Sequence, residues 1–179
     1  MISPSHARTM AVYNRWMNER LYAVCAPIPD AERKSDRGAF FKSIHGTLNH
    51  LLFGDRAWLG RFLGADRNDS NGRFYILRTD SILFDDFDAL RAERAWLDGE
   101  IERWAAGLTA VWLAADFTWT SGIDGKTRTF PGWLLATHMF NHQTHHRGQL
   151  TTLLMQLGVD PGATDIPWMP DVLGGVKAA

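Results

Sequence analysis

Hydrophobic residues recur every three or four positions in four long segments of the chain. These segments run from about Ser5 to Ala26, Ala39 to Leu63, Phe84 to Leu108 and Pro131 to Leu157. The spacing matches the period of about 3.6 residues of an amphipathic helix. The pattern therefore predicts four long helices whose apolar faces share one core.

The ends of the segments carry residues that terminate helices. Prolines within residues 26–30 cannot continue the first helix, and the polar stretch 64–73 follows the second. Pro131 suits a first helical turn, and Gly158 suits a helix C-terminus. Each segment is long enough to cross a bundle once. We expect an all-α four-helix bundle in a single domain covering residues 1–179.

A different pattern separates the third and fourth segments. Phe117 and Trp119 alternate with polar residues, and Asp124-Gly125 favours a tight turn. The pattern predicts a small β-hairpin between helices 3 and 4. The tail that follows Leu157 is rich in proline and glycine, and we expect it to pack over the bundle as a loop.

Composition narrows the class of protein. The chain has 179 residues, of which 45% are hydrophobic, as expected for one globular domain. The net charge is −1 and no basic run stands out, which argues against nucleic-acid binding. No apolar run reaches the roughly 20 residues of a membrane span, and the N-terminus lacks a signal peptide's apolar region. We expect a cytoplasmic protein with neither nucleic acid nor membrane as a partner.

Two residue types suggest how the core is filled. Eight tryptophans indicate a core rich in large aromatic side chains. The single cysteine, Cys25, fits a reducing compartment and is expected in the core rather than as a reactive thiol. Asp55 and Arg94 each occupy a position in an otherwise apolar stripe. We therefore predict a buried ion pair between the second and third long helices.

The candidate chemistry lies in the last helix, where four histidines are close in sequence: His138, His142, His145 and His146. On a helical wheel His142 and His146 fall within the apolar face, with Gln149 beside them and Arg147 roughly opposite. Imidazoles at i and i+4 can reach one metal ion. A metal would also offset the cost, about 1–3 kcal/mol each, of burying imidazoles without partners.

A metal site needs a third ligand, and three histidines remain. His6 lies at the extreme N-terminus, whereas His45 and His50 both lie on the second long helix. Helix geometry leaves both of these open. His50 lies on a stripe of mostly small residues that leaves room for a cavity, which favours it. A purely structural alternative also exists, in which the histidines bond to carbonyl groups in the core.

Two stretches and a short tail resemble one family over nearly the whole chain. Residues 46–62 read GTLNHLLFGDRAWLGRF, residues 138–158 read HMFNHQTHHRGQLTTLLMQLG, and residues 165–169 read DIPWM. They are similar to the DinB family of small bacterial proteins. The resemblance implies a DinB/YfiT-like four-helix bundle that holds a divalent metal through three histidines. The matching positions are His50, His142 and His146.

The resemblance also implies a function. Three neutral imidazoles leave a divalent ion with an open position for water or a thiol. Relatives include transferases and isomerases that use low-molecular-weight thiols. We therefore expect a metal-dependent hydrolase or thiol S-transferase that acts on a small molecule, with zinc or nickel as the first candidate metals. Homodimers are common in the family. The alternative is a non-catalytic metal-binding stress-response or scaffold protein.

Three further residues have candidate roles around this site. His145 and Gln149 are candidates for orienting a ligand or polarising the substrate. His138 is a candidate for a fourth ligand.

Overall fold

The computed structural model describes residues 1–65, 74, 82–121 and 124–170. These residues are mostly helical and include a two-stranded hairpin, as the sequence predicts. The elements in order are α1 (Pro4–Cys25), α2 (Asp30–Lys34), α3 (Ile44–Leu63), α4 (Phe87–Gly107), α5 (Ala110–Ala114), β1 (Asp116–Thr120), β2 (Thr127–Pro131), α6 (Gly132–Gln156) and a 3-10 turn (Ile166–Trp168). The polar stretch 66–73 and the end of the tail lie outside the described residues.

Side-chain caps determine where several helices begin. Ser3, Ser43, Asp86 and Thr109 each accept a hydrogen bond from a backbone N–H in the first turn of α1, α3, α4 and α5. Such caps satisfy donors that the helix itself leaves without partners. Gly64 ends α3 in the left-handed conformation, with φ of 66°.

The four long helices pack against one another in pairs. Helix α1 lies against α4 and α3 lies against α6, while further contacts join α3 to α4 and α1 to α6. Their apolar stripes are buried, for example at Met17, Leu52, Leu97 and Leu154. Cys25 is fully buried in this core, and burial raises the pKa of its thiol to about 12. Its expected core position is confirmed.

The hairpin determines where α6 starts. β1 and β2 pair antiparallel, with Phe117 opposite Phe130, and Gly125 in the turn has a φ of 68°. The second strand runs directly into α6, and the Gly132 N–H donates to Ala115 O over 2.8 Å. A Cβ atom on Gly132 would lie 2.6 Å from Trp112 O. Glycine therefore allows α6 to begin tightly against α5.

The predicted buried ion pair is confirmed. Arg94 Nη1 of α4 lies 2.9 Å from Asp55 Oδ2 of α3, and the side chains are 2% and 1% exposed. Arg94 Nη2 also lies 2.9 Å from Asp98 Oδ1. This second carboxylate, which lies one turn further along α4, was not predicted from the sequence.

Amide side chains extend this ion pair to the other two long helices. Asn18 of α1 donates to Asp98 over 2.9 Å, and Asn14 of α1 donates to Asp55 over 3.3 Å. Arg147 of α6 donates to Asn14 Oδ1. We call these residues the buried polar network: Asn14, Asn18, Asp55, Arg94, Asp98 and Arg147. It takes at least one residue from each long helix.

Some predictions about the elements were wrong. The second long helix begins at Ile44 rather than Ala39, and Phe40, which lies inside the predicted segment, is 82% exposed. Lys42 has a φ of 69°, which interrupts a helix, and Ser43 then caps the next one. The short helices α2 and α5 were not predicted.

Two predictions about burial were also wrong. Arg147 was expected to point away from the core, but it is buried because α6 contacts α1 as well as α3. The tryptophans lie around the core rather than within it, and Trp168 is exposed. Large side chains with a polar N–H are seldom completely buried. Among the described residues, no helix combines the length and hydropathy needed to cross a membrane.

Candidate metal centre

The packing of α3 on α6 brings three of the candidate histidines together. His50 Nε2 lies 3.2 Å from His142 Nε2, and His146 Nε2 lies 3.1 Å from the same atom. One ring nitrogen from each residue lies within 4.8 Å of the others. His45 is directed elsewhere, because its Nε2 lies 2.9 Å from Phe84 O. Of the two histidines left open by helix geometry, His50 is therefore the one in the cluster.

The separations between these nitrogens suit a shared ion. Two ligands at tetrahedral positions, about 2.0–2.1 Å from a metal, are about 3.3 Å apart. The two Nε2 separations of 3.1 and 3.2 Å are close to that value. His142 Nδ1 is buried and has no hydrogen-bond partner in the part of the chain that the structure describes. The donor set, three imidazoles, suits zinc and nickel.

Hydrogen bonding and burial hold these rings in the form that binds metal. Gln149 Oε1 lies 2.8 Å from His146 Nδ1. An amide oxygen only accepts, so Nδ1 carries the proton and the Nε2 lone pair faces the cluster. Burial, followed by His146 and His50, lowers the pKa of His142 to about 3. Burial also lowers the pKa of His146, although the Gln149 hydrogen bond opposes this shift. Both rings are therefore neutral at pH 7.

A glycine in α3 makes room for the second ring. A Cβ atom on Gly54 would lie 2.6 Å from His142 Cε1, closer than any non-bonded carbon pair. Gly54 lies one turn after His50, on the stripe of small residues seen in the sequence. That stripe was expected to leave room for a cavity, and at Gly54 the room is filled by the His142 imidazole.

The other candidate residues lie at the margin of the cluster. His145 is exposed, and its Nε2 lies 3.4 Å from Gln149 Nε2. His138 is exposed, its ring centroid is 6.0 Å from that of His142, and it packs edge-on against Trp58. His138 therefore lies beside the cluster of ring nitrogens rather than in it. His6 is exposed in the first turn of α1.

Phe41 is a site residue that the sequence analysis missed. Its ring stacks on His50, with centroids 3.6 Å apart and planes at 16°, and it meets the His146 ring edge-on at 5.3 Å. Residues 39–43 were predicted inside a helix and were not connected with the histidines. A phenylalanine two residues before a serine N-cap gives no sequence signal of such a contact.

Comparison with protein-family models matches residues 1–173 to the model described as DinB family. The chain belongs to the DinB family. A curated DinB relative, "Protein DinB" of Bacillus subtilis (strain 168), is 25% identical over 156 residues, which cover 86% of this chain and 87% of the relative. No solved structure matches significantly. The resemblance found in the sequence is thus confirmed, and DinB membership is compatible with metal binding by the three-histidine cluster.

Proposed function

We propose that this DinB protein binds one divalent metal ion through His50, His142 and His146. The observation that carries the proposal is the convergence of the three Nε2 atoms, two pairs of which are 3.1 and 3.2 Å apart. Zinc and nickel are the metals that we favour. The contacts between α1 and α4 and between α3 and α6 also support a DinB/YfiT-like four-helix bundle in a single domain.

We further propose that the site is catalytic, as a metal-dependent hydrolase or a low-molecular-weight-thiol S-transferase. A divalent ion held by His50, His142 and His146 would acidify a bound water or thiol, because all three protein ligands are neutral. Gln149 holds His146 in the coordinating tautomer. We assign His145, which is exposed beside Gln149, the role of orienting or polarising the incoming small molecule. The proposed setting is a cytoplasmic homodimer.

Metal analysis of the purified protein tests the ligand assignment. We expect one equivalent of divalent metal in the wild type and a loss of most of it in His142→Ala. His138→Ala is the matched control, because it removes a histidine one turn earlier on the same helix face, and it should keep its metal. Stoichiometric metal in His142→Ala would contradict the assignment.

A substrate screen tests whether the site turns over. The metal-loaded protein and His142→Ala are incubated with a panel of electrophiles, each with and without cellular thiols, and with hydrolysable esters and amides. We expect turnover that requires both the metal and His142. If metal binds but no reaction depends on it, a non-catalytic metal-binding protein becomes the better description.

A further inference from the structure

The Phe41 ring lies against two of the three proposed ligands. It covers one face of the His50 imidazole and touches the His146 ring edge-on. His50 and His146 both direct Nε2 towards His142 Nε2, so the Phe41 ring lies beside the cluster of ring nitrogens. An apolar ring in contact with both imidazoles would therefore lie close to an ion held by the three nitrogens.

A backbone turn just before helix α3 holds the Phe41 ring in this position. Residues 39–42 form a tight turn, in which Lys42 N donates to Ala39 O and Arg37 N donates to Lys42 O, each over 2.8 Å. Lys42 adopts the left-handed conformation with φ of 69°, which is unfavourable for a residue with a side chain. The turn therefore keeps a strained shape while it places Phe41 over the histidines.

The first turn of helix α3 packs closely against the turn at residues 39–42. A Cβ atom on Gly46 would lie 2.1 Å from Phe41 O, so any larger residue would push the turn away. Ser43 caps α3 through Gly46 N, and its own N–H donates to Phe41 O. The contacts of Gly46 and Ser43 with Phe41 O therefore determine how far the Phe41 ring lies from the His50 ring.

We propose that Phe41 determines which ligands reach the open position of the metal. This inference rests on the proposed metal site and adds a selection rule to it. The phenyl ring forms a rigid wall beside His50 and His146. Slender ligands and substrates with an unbranched chain next to the binding atom fit beside the wall, whereas ligands with a ring at that position collide with it. The favoured thiol substrates are therefore unbranched next to sulfur.

Titration of cobalt-loaded protein tests this proposal without an activity assay. Azide serves as a slender probe and imidazole as a ring-shaped probe, and binding is followed by the visible spectrum of cobalt. We expect Phe41→Ala to keep stoichiometric cobalt and to bind imidazole about tenfold more tightly, equivalent to about 1.4 kcal/mol. Its affinity for azide should change less than about twofold. Phe41→Leu should lie between Phe41→Ala and the wild type.

Two comparisons distinguish the effect of the Phe41 ring from a general loosening of the turn at residues 39–42. The first compares Phe41→Ala with Phe40→Ala, and the second compares Gly46→Ala with Gly99→Ala. Phe40→Ala removes the neighbouring phenyl group, which is exposed and packs on Phe41, and it should behave like the wild type. Gly46→Ala keeps the phenyl group but displaces the turn, so it should shift selection towards imidazole. Gly99→Ala adds a methyl group to α4 where no atom lies within 4 Å, and it should cause no shift.

An unchanged ratio of imidazole to azide affinity in cobalt-loaded Phe41→Ala would overturn the proposal. Loss of cobalt from both Phe41→Ala and Phe41→Leu would also overturn it. Phe41 would then hold the histidines in place for the metal rather than select among added molecules. Failure of the metal site itself looks different. In that case wild type and His142→Ala would bind cobalt equally poorly.

Discussion

At the scale of single residues, the proposed site depends on which nitrogen of His146 carries the proton. Gln149, one turn later on α6, fixes that choice by accepting from Nδ1. Gln149→Leu keeps the size of the side chain and removes the acceptor. We expect metal affinity to fall about 10- to 100-fold, the usual effect of removing such a partner. A competition titration with a chelator measures this change.

Gln156→Leu is the control for the Gln149 prediction. It makes the same chemical change at the exposed last residue of α6, so metal affinity should be unchanged. Equal affinities in wild type and Gln149→Leu would show that the tautomer of His146 does not depend on this hydrogen bond.

The sequence identified much of the site at this scale because helix periodicity is a local property. His142, His146 and Gln149 belong to one helix, and their shared face follows from a rotation of about 100° per residue. The choice of His50 also depended on the family resemblance, since helix geometry alone did not distinguish it from His45. Phe41 could not be found in this way, because its contact with His50 depends on a left-handed residue in a turn.

At the scale of the elements, the site depends on how closely α3 approaches α6. Gly54 permits this approach, since a Cβ atom there would overlap the His142 ring. Gly54→Ala should therefore displace His142 and weaken metal binding by about tenfold or more, equivalent to about 1.4 kcal/mol. Metal affinity measured against a chelator checks this, and Gly99→Ala, where a methyl group meets open space, provides the control.

Gly54→Ala should also affect stability in two opposing ways, through helix propensity and through overlap with the His142 ring. Alanine stabilises a helix interior by about 0.5–1 kcal/mol relative to glycine. We expect Gly99→Ala to show that gain in the metal-free protein, whereas overlap with His142 should reduce it in Gly54→Ala. Unchanged metal affinity in Gly54→Ala would mean that the His142 ring can move without losing its ligand position.

Long periodic segments were predictable as elements, whereas short ones were not. Helices α2 and α5 have five residues each, too few to show a helical period. The start of α3 was misplaced because Ala39 and Phe40 extend the apolar run towards the N-terminus. Arg147 was misplaced because a wheel assumes one buried face, and α6 has two. For Arg147 the contact of α6 with the distant α1 decided the outcome, whereas the start of α3 depends on the left-handed Lys42.

At the scale of the whole molecule, the buried polar network joins all four long helices. Asp55→Ala would leave Arg94 buried with only part of its charge compensated. We expect the metal-free protein to lose about 3–5 kcal/mol of unfolding free energy, as measured by urea denaturation. Glu19→Ala removes an exposed partner of Arg15 and should have a much smaller effect. A small loss in Asp55→Ala would indicate that water enters the network.

The same network predicts a dependence of stability on pH. Burial raises the pKa of Asp98 to about 6, although Arg94 opposes this shift, and a free aspartate titrates near 3.9. Between about pH 4 and 6 the folded state therefore binds more protons at this site than the unfolded state. Unfolding free energy of the wild type should rise, relative to Asp98→Asn, as the pH falls from 6 to 4.

Urea denaturation of both proteins from pH 4 to 8 measures this difference. Above about pH 7, one pH unit above the folded-state pKa, the difference should become constant, since Asp98 is then ionised in both states. A difference that grows as the pH rises from 4 to 6 would mean that Arg94 outweighs burial and lowers the pKa of Asp98 in the folded protein.

The burial of Cys25 has a practical consequence for spectroscopy. It is the single thiol of the chain, and its proton is held inside the hydrophobic core until strongly alkaline pH. Any sulfur-to-cobalt charge-transfer band that develops when a thiol is added must therefore come from the added molecule. The protein provides a sulfur-free background against which the arrival of a candidate substrate at the metal can be recorded directly.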